Sequence, residues 1–195
     1  LVLFALPLGL LLGLSLWHNY ARFHDPFEVG YRYLTVVWQA RIEKWGLFSY
    51  HYLARNLGVV LTSLPFQGRG GGASLQISIH GLAIWLTTPI YLLLLWPRRK
   101  PGTWWALGLT AACVALPSLL YQNTGQVQFG YRFSCDYAVF LLAMLAISRP
   151  KLGIGFWVLA LCGVLVNAFG ALTFDRPRFA HFYADERTGA IYQPD

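Results

Sequence analysis

The feature that most constrains this chain is a series of apolar runs, each long enough or nearly long enough to cross a lipid bilayer, separated by short clusters of charge. Hydrophobic residues make up 56% of the 195 residues, and Asp, Glu, Lys and Arg make up only 12%. A typical soluble domain carries about 25% charged residues. The pattern predicts an all-α integral membrane protein with about five transmembrane helices.

The predicted spans follow the apolar runs, because a helix needs roughly 20 predominantly apolar residues to cross the hydrocarbon core. They are about 1–17, 77–96, 103–121, 134–148 and 154–172. The first run is slightly short, and residues before Leu1 would complete it. These spans predict a transmembrane region over 1–173, which includes a long loop at 18–76, and a polar, aromatic tail at 174–195.

Within the long loop, residues 48–64 have an amphipathic pattern. Apolar residues recur there at helical spacing, at Tyr52, Leu53, Leu57, Val60, Leu61 and Leu64. Arg55 and Asn56 stand between them, and Pro65 ends the pattern because proline cannot continue a helix. We expect a helix that lies in the membrane interface. A sixth, imperfect span is the alternative.

Two short basic clusters set the expected orientation. Arg-Arg-Lys at 98–100 follows the second predicted span, and Arg149 and Lys151 follow the fourth. Short cytoplasmic loops carry an excess of Lys and Arg. We therefore expect both clusters in the cytoplasm. The long loop, the loop at 122–132 and the tail are then extracytoplasmic.

Two of the expected outward segments carry the same short motif. Gly-Tyr-Arg followed by an aromatic residue occurs at 30–33 and again at 130–133. An arginine at the interface can hold a phosphate by two parallel hydrogen bonds. Aromatic rings beside it can stack on a sugar or lie along a lipid chain. The predicted orientation places both motifs on one membrane face.

The candidate site residues come from these two motifs and their flanks. Those predicted to bind a lipid phosphate or substrate are Arg22, Tyr31, Arg32, Gln128, Tyr131 and Arg132. Three acids are candidates for orienting the arginines or accepting a proton from a substrate hydroxyl, namely Asp25, Glu28 and Asp136. In the alternative interpretation the motifs are ordinary membrane anchors whose arginines reach the headgroups. Asp136 then pairs with Arg132 across one helical turn.

Patterns for other kinds of site are missing from the sequence. The five histidines have no metal-ligand spacing and the three cysteines include no CxxC pair, so we expect no metal. No nucleotide-binding or haem motif occurs, which predicts no cofactor. The net charge of +7 lies in short groups beside apolar runs, not along one polar helix face. This favours membrane lipids over nucleic acid as partners.

These motifs and their order resemble those of a known family. The relevant runs are Asn-Tyr-Ala-Arg-Phe at 19–23, Pro-Phe-Glu at 26–28, Leu-Thr-Thr-Pro at 86–89 and Gln-Phe-Gly-Tyr-Arg-Phe at 128–133. They are similar to segments of bacterial membrane proteins of the GT-C glycosyltransferase superfamily, related to dolichyl-phosphate-mannose protein mannosyltransferases and lipid-A sugar transferases. The resemblance covers most of residues 15–145.

The resemblance implies transfer of a sugar from a polyprenyl-phosphate-linked donor at the outer face of a bacterial inner membrane, without a nucleotide sugar. It implies that this chain corresponds to the C-terminal half of such a protein, with the catalytic acid in an earlier outward loop. Asp25 and Glu28 do not match the catalytic position, so no catalytic residue is assigned. The positions that match donor-phosphate binding are Arg22, Tyr31, Arg32, Tyr131 and Arg132.

Two other functions are compatible with the sequence. A structural or accessory subunit of a larger membrane complex could reuse a degenerate transferase half, with the aromatic, mixed-charge tail docking on partner subunits. A transporter is the less favoured alternative, because no predicted span carries Asp, Glu, Lys or Arg at its midpoint. Intramembrane charge is the usual mark of an ion path.

Overall fold

The computed structural model describes residues 2–35, 38–67, 75–125 and 127–184, which are mostly helical. Its α-helices are α1 (Val2–Phe23), α2 (Gln39–Trp45), α3 (Leu53–Thr62), α4 (Ile84–Thr87), α5 (Gly102–Leu120), α6 (Cys135–Ser148) and α7 (Ile154–Thr173). Short 3-10 helices occupy Tyr31–Tyr33, Tyr50–Tyr52, Pro89–Leu95, Arg132–Ser134 and Pro177–Phe182. Strand β1 (Phe66–Gln67) pairs antiparallel with β2 (Leu75–Gln76). The predicted helical class is confirmed for these residues.

The chain divides into two compact units, Leu1–Leu47 and Phe48–Asp195. In the first unit, α1 ends where His24 adopts a left-handed backbone conformation with a φ of 56°. The His24 N–H donates to the Tyr20 carbonyl at 2.8 Å. A left-handed residue is a common way to end a helix, and here it leads the chain into the loop that carries the first motif.

In the described part of the chain, two helices are long and apolar enough to cross a membrane: α5, with 19 residues, and α7, with 20. Many of their apolar side chains are exposed, such as Leu109 on α5 and Val164 on α7. Residues 2–17 of the predicted span at 1–17 belong to α1. The span predicted at 134–148 corresponds to α6, whose 14 residues extend over about 21 Å. The count of five spans stays a prediction.

Residues 77–96 differ from the single helix that their apolar character suggested. Ile77 N–H donates to the Phe182 carbonyl and Leu82 N–H to the Phe129 carbonyl, both at 2.8 Å. These long-range backbone bonds hold 77–83 in a non-helical path, which turns at Ser78–Gly81, where the Gly81 N–H donates to the Ser78 carbonyl at 2.9 Å. After the short α4, Pro89 begins a 3-10 helix, and a residue before proline is disfavoured in the α conformation. Apolar composition alone does not distinguish such a buried segment from a helix.

We use the name crossing segment for residues 77–83. It lies between two other parts of the second unit, the loop before α6 and the C-terminal tail. It forms parallel bridges to both, at Leu82 with Gly130 and at Ile77 with Tyr183. The part of the predicted tail up to residue 184 is therefore folded against its own chain. Residues 36–37 and 68–74 of the predicted long loop and 185–195 of the tail lie outside the described residues.

A helix does form in the amphipathic stretch at 48–64, but its buried face is not the one that the leucines suggested. α3 covers Leu53–Thr62, and its buried residues are Asn56, Val59 and Val60. Leu61, one of the predicted apolar-face residues, is 52% exposed. Ten residues extend over about 15 Å, which is too short to cross a bilayer alone. Its position in a membrane interface stays a prediction.

The helices α5, α6 and α7 alternate in direction, so their connecting segments collect at two ends. Close packing of α5 on α6 is visible at Gly108, where a Cβ atom would stand 3.2 Å from Met144 Cε. At one end, buried Val59, Val60 and Tyr131 form a small core. The turns at 96–101 and 149–153 lie at the other end.

Candidate functional site

The first motif lies in the loop after α1. Arg22 is exposed in the last turn of the helix, and its Cζ atom is 5.0 Å from the centre of the Phe23 ring. Phe23 also stacks on Tyr33, with ring centres 5.3 Å apart. The rings of Phe23 and Tyr33 thus close the loop, and Arg22 stands at its edge.

Both acids of this loop bond to its own backbone. Asp25 Oδ1 accepts from the Phe27 N–H at 2.9 Å. Glu28 Oε1 accepts from the Gly30 N–H at 2.8 Å, and Glu28 Oε2 lies 3.2 Å from Arg32 Nε. The Glu28 side chain is 9% exposed and that of Arg32 is 74% exposed. The buried carboxylate therefore orients an arginine that remains open to solvent.

Gly30 is required by the loop's geometry. Its φ of 91° lies in the left-handed region, and a Cβ there would stand 3.0 Å from Phe23 Cζ. Glycine meets both requirements at low cost. The 3-10 turn Tyr31–Tyr33 follows at once and places Arg32 at its centre.

The second motif runs beside the crossing segment. Gln128 N–H donates to the Ile79 carbonyl at 3.1 Å, and Tyr131 N–H donates to the Leu82 carbonyl at 3.3 Å. A Cβ on Gly130 would stand 2.9 Å from Thr87 Cγ2. The motif is therefore fixed by backbone pairing, with no space for a side chain at its glycine.

Gln128 is a buried brace and is 4% exposed. Its Nε2 donates to the His80 carbonyl at 2.6 Å and to the Thr124 carbonyl at 2.8 Å. Its Oε1 accepts from the Arg132 N–H at 3.0 Å. The amide thus joins the crossing segment, at His80, to the loop before α6, at Thr124 and Arg132. The structure gives Gln128 this role beside its predicted contact with substrate.

Tyr131 and Arg132 point to different environments. Tyr131 is buried in the core formed with Val59 and Val60, and burial raises the pKa of its hydroxyl. Arg132 is exposed at the start of a 3-10 turn, and its Cζ atom lies 5.5 Å from the centre of the Phe133 ring. Of this pair, only the arginine is open to an incoming ligand.

The proposed pairing of Asp136 with Arg132 is not formed. Both side chains are exposed. In the first motif, by contrast, Arg32 does form an ion pair, with Glu28. Arg132 is therefore not neutralised by the acid one turn away.

The similarity between the two motifs begins two positions before the shared Gly-Tyr-Arg, at a glutamate in one and a glutamine in the other. They read Glu28-Val-Gly-Tyr-Arg32 and Gln128-Phe-Gly-Tyr-Arg132. In each, the first side chain is buried and bonds to the backbone of the motif itself, and the arginine four positions later is exposed on a 3-10 turn. The sequence already contained this similarity, because Glu28 and Gln128 each place a side-chain oxygen four positions before the arginine.

Sequence reasoning missed two polar residues of α3. Asn56 Nδ2 donates to the carbonyls of Ser118, Leu119 and Tyr121 at 3.3, 2.8 and 2.8 Å. Arg55 Nη2 donates to the Gln122 carbonyl at 2.6 Å. These carbonyls lie in the last turn of α5 and in the two residues after it, where helical partners run out. Asn56 stands on one helical face with Val59 and Val60, and that spacing could have shown its burial.

His80 is a further buried polar residue that the motifs did not indicate. Its Nδ1 lies 2.6 Å from Thr124 Oγ1, and both residues are buried. The pair adds to the Gln128 brace beneath the second motif. No three His, Cys, Asp or Glu side chains in the parts of the chain that the structure covers lie close enough to hold a metal ion.

The two motifs belong to different units of the chain, Arg32 to the first and Arg132 to the second. Their convergence on one ligand stays a prediction. Comparison with family models, with curated proteins and with solved structures gave no match to this chain, so its function is argued from the chemistry of these residues.

Proposed function

We propose that this chain is part of a membrane glycosyltransferase of the GT-C type, which uses a polyprenyl-phosphate-linked sugar at the outer face of a bacterial inner membrane. The observation that carries the proposal is the repeated arrangement of a buried brace and an exposed arginine, at Glu28 with Arg32 and at Gln128 with Arg132. Arg32 is paired with Glu28 through its Nε atom, Arg132 is fixed through its backbone N–H, and both arginine side chains are exposed.

This arrangement suits a phosphate with an attached sugar. A guanidinium offers donors in a planar fork that matches phosphate oxygens. Phe133 lies beside Arg132 and the stacked pair of Phe23 and Tyr33 lies in the loop of Arg32. Aromatic faces of this kind bind sugar rings and isoprenoid chains. Arg22 and Tyr31 complete the first donor-binding loop in the proposal.

The membrane part of the proposal is supported by exposed apolar helices. Leu109 and Leu116 on α5 and Val164 and Leu165 on α7 are all at least half exposed. Exposed apolar area costs about 25 cal/mol per Å² in water, and a bilayer removes that cost. We propose about five spans, with the loop at 18–76 and the C-terminal tail on the extracytoplasmic side.

The proposal assigns donor binding to this chain and no catalytic residue. Asp25 and Glu28 bond to the backbone of their loop, which suits orientation of the arginines. Asp136 is exposed near the second motif and stays a candidate proton acceptor without an assigned catalytic role. The alternative is a non-catalytic subunit of a larger membrane complex. Such a subunit would not require an exposed arginine in each motif.

Binding of a polyprenyl phosphate to the purified full chain in detergent tests the proposal. We expect Arg32→Ala and Arg132→Ala each to weaken binding roughly 10- to 100-fold, since hydrogen bonds to charged groups contribute about 1.5–3 kcal/mol each. Polyprenol without the phosphate should bind equally weakly to all variants.

Arg178→Ala is a matched control, because Arg178 is also exposed and stacks on the following Phe179 at 5.7 Å. It should bind polyprenyl phosphate like the original chain. Unchanged affinity in both Arg32→Ala and Arg132→Ala would overturn the donor site and favour the accessory-subunit alternative.

A further inference from the structure

A concentrated group of basic side chains lies at the end of the second unit away from the second motif. We call it the basic end; it consists of Arg98, Arg99, Lys100, Arg149 and Lys151. Arg99, Lys100 and Arg149 line one open groove of about 690 Å³. Arg98 and Lys151 line a neighbouring groove of about 650 Å³. Two separate turns thus bring their charges together.

Among the described residues of the second unit, the acidic side chains lie far from these charges. The acids of the second unit that the structure describes are Asp136 and Asp175. Asp136 is at the start of α6 and Arg149 follows its end, a separation of roughly 20 Å along the helix. Asp175 follows the end of α7, whereas Lys151 precedes its start. The basic end therefore repels itself unless an anion or water screens it.

The turns that carry the charges are held in place. Arg149 adopts a left-handed conformation with a φ of 49° and closes α6 by donating from its N–H to the Ala146 carbonyl. A left-handed residue is a common way to end a helix, and here it fixes the direction in which the chain leaves α6. Lys100 Nζ lies 5.8 Å from the ring centres of both Trp104 and Trp105. The basic groups are consequently presented by short, constrained turns.

The second groove is lined by both basic and apolar side chains. Arg98 and Lys151 line it together with Leu93, Phe156 and Leu159. Exposed Trp96 also lines it, and tryptophan is enriched where hydrocarbon meets headgroups. A ligand that fits both grooves has a phosphate at one end and a hydrocarbon chain at the other.

We propose that the basic end binds the phosphate of an anionic phospholipid, with Arg99, Lys100 and Arg149 around the headgroup and an acyl chain in the neighbouring groove. This site is separate from the second motif and rests only on the membrane part of the proposed function. Each Lys or Arg beside an anionic lipid surface contributes about fivefold in affinity. Loss of two such charges should therefore weaken binding roughly 25-fold.

Native mass spectrometry of the full chain in a non-ionic detergent tests this site, with phosphatidylglycerol as probe and phosphatidylcholine as the zwitterionic comparison. Phosphatidylglycerol should bind more tightly than phosphatidylcholine. Arg99→Gln with Arg149→Gln should weaken phosphatidylglycerol binding roughly 25-fold, and Arg99→Lys with Arg149→Lys should retain most of it.

The matched control removes the same charge from the opposite end, by Arg176→Gln with Arg178→Gln, and should leave phosphatidylglycerol binding unchanged. Equal weakening in the control and in Arg99→Gln with Arg149→Gln would overturn the site, as would equal affinity for the two lipids. Donor binding is measured separately with Arg32→Ala and Arg132→Ala, so failure of one site is distinguishable from failure of the other.

Discussion

At the scale of single residues, buried polar side chains decide which charged groups the loops present. Glu28 and Gln128 each bond to the backbone of their own motif and leave the arginine four positions later exposed. From sequence, Gln128 was predicted to contact substrate, because an isolated glutamine beside an arginine does not show which way its amide faces. The His80 carbonyl that it meets lies 48 residues earlier in the chain, beyond any local pattern, whereas the Thr124 carbonyl lies four residues earlier.

Asn56 has the same kind of role at the end of α5, and its loss should be measurable. Asn56→Ala removes three hydrogen bonds to α5 carbonyls at a site that is 0% exposed. We expect the free energy of unfolding to fall by about 2–4 kcal/mol, because the buried carbonyls lose their partners. Denaturant unfolding in detergent gives this value.

The control for Asn56 lies on the same helix. Thr62 is exposed, and its Oγ1 bonds only within the helix, to the Gly58 carbonyl. Thr62→Ala should change the free energy of unfolding by no more than about 0.5 kcal/mol. An Asn56→Ala effect as small as that of Thr62→Ala would contradict the bridging role.

At the scale of elements, local pattern predicted the helices well and the long-range pairings poorly. The uninterrupted apolar runs at 103–121 and 154–172 correspond closely to α5 and α7. The run at 77–96 is apolar in the same way, but it forms the crossing segment, the short α4 and a 3-10 helix. Its path depends on backbone bonds to Phe129 and Phe182, which no local window contains.

Gly81 allows the crossing segment to pass close to the second motif. Its φ is 85°, and a Cβ there would stand 2.9 Å from Gln128 Cγ and 3.0 Å from the Gly130 carbonyl carbon. Gly81→Ala should lower the free energy of unfolding by about 2–4 kcal/mol, through both strain and overlap. It should also weaken polyprenyl phosphate binding, because Arg132 follows the displaced backbone.

Gly155 in α7 provides the comparison for Gly81. An added Cβ at Gly155 meets nothing within 4 Å, and alanine favours a helix over glycine by up to about 1 kcal/mol. Gly155→Ala should therefore leave stability unchanged or raise it slightly. Equal effects of the two substitutions on the unfolding midpoint would refute a special requirement at Gly81.

At the scale of the whole molecule, the second unit has chemically different ends. Arg98, Arg99, Lys100, Arg149 and Lys151 occupy one end. The other end has the braced motif with Arg132 and the folded tail. The sequence predicted this separation, because alternating helices place every second connection at the same end. The bridges that join the crossing segment to the loop before α6 and to the tail were not accessible from local patterns alone, and the count of five spans stays a prediction.

Labelling with a membrane-impermeant maleimide tests the central claim, that both arginine motifs emerge on the extracytoplasmic face. Arg32→Cys, Arg132→Cys and Arg99→Cys are introduced singly into a background in which Cys113, Cys135 and Cys162 are alanine. In intact cells, Arg32→Cys and Arg132→Cys should be labelled, and Arg99→Cys should be labelled only after permeabilisation. Labelling of Arg32→Cys and Arg132→Cys from opposite sides of the membrane would contradict the account.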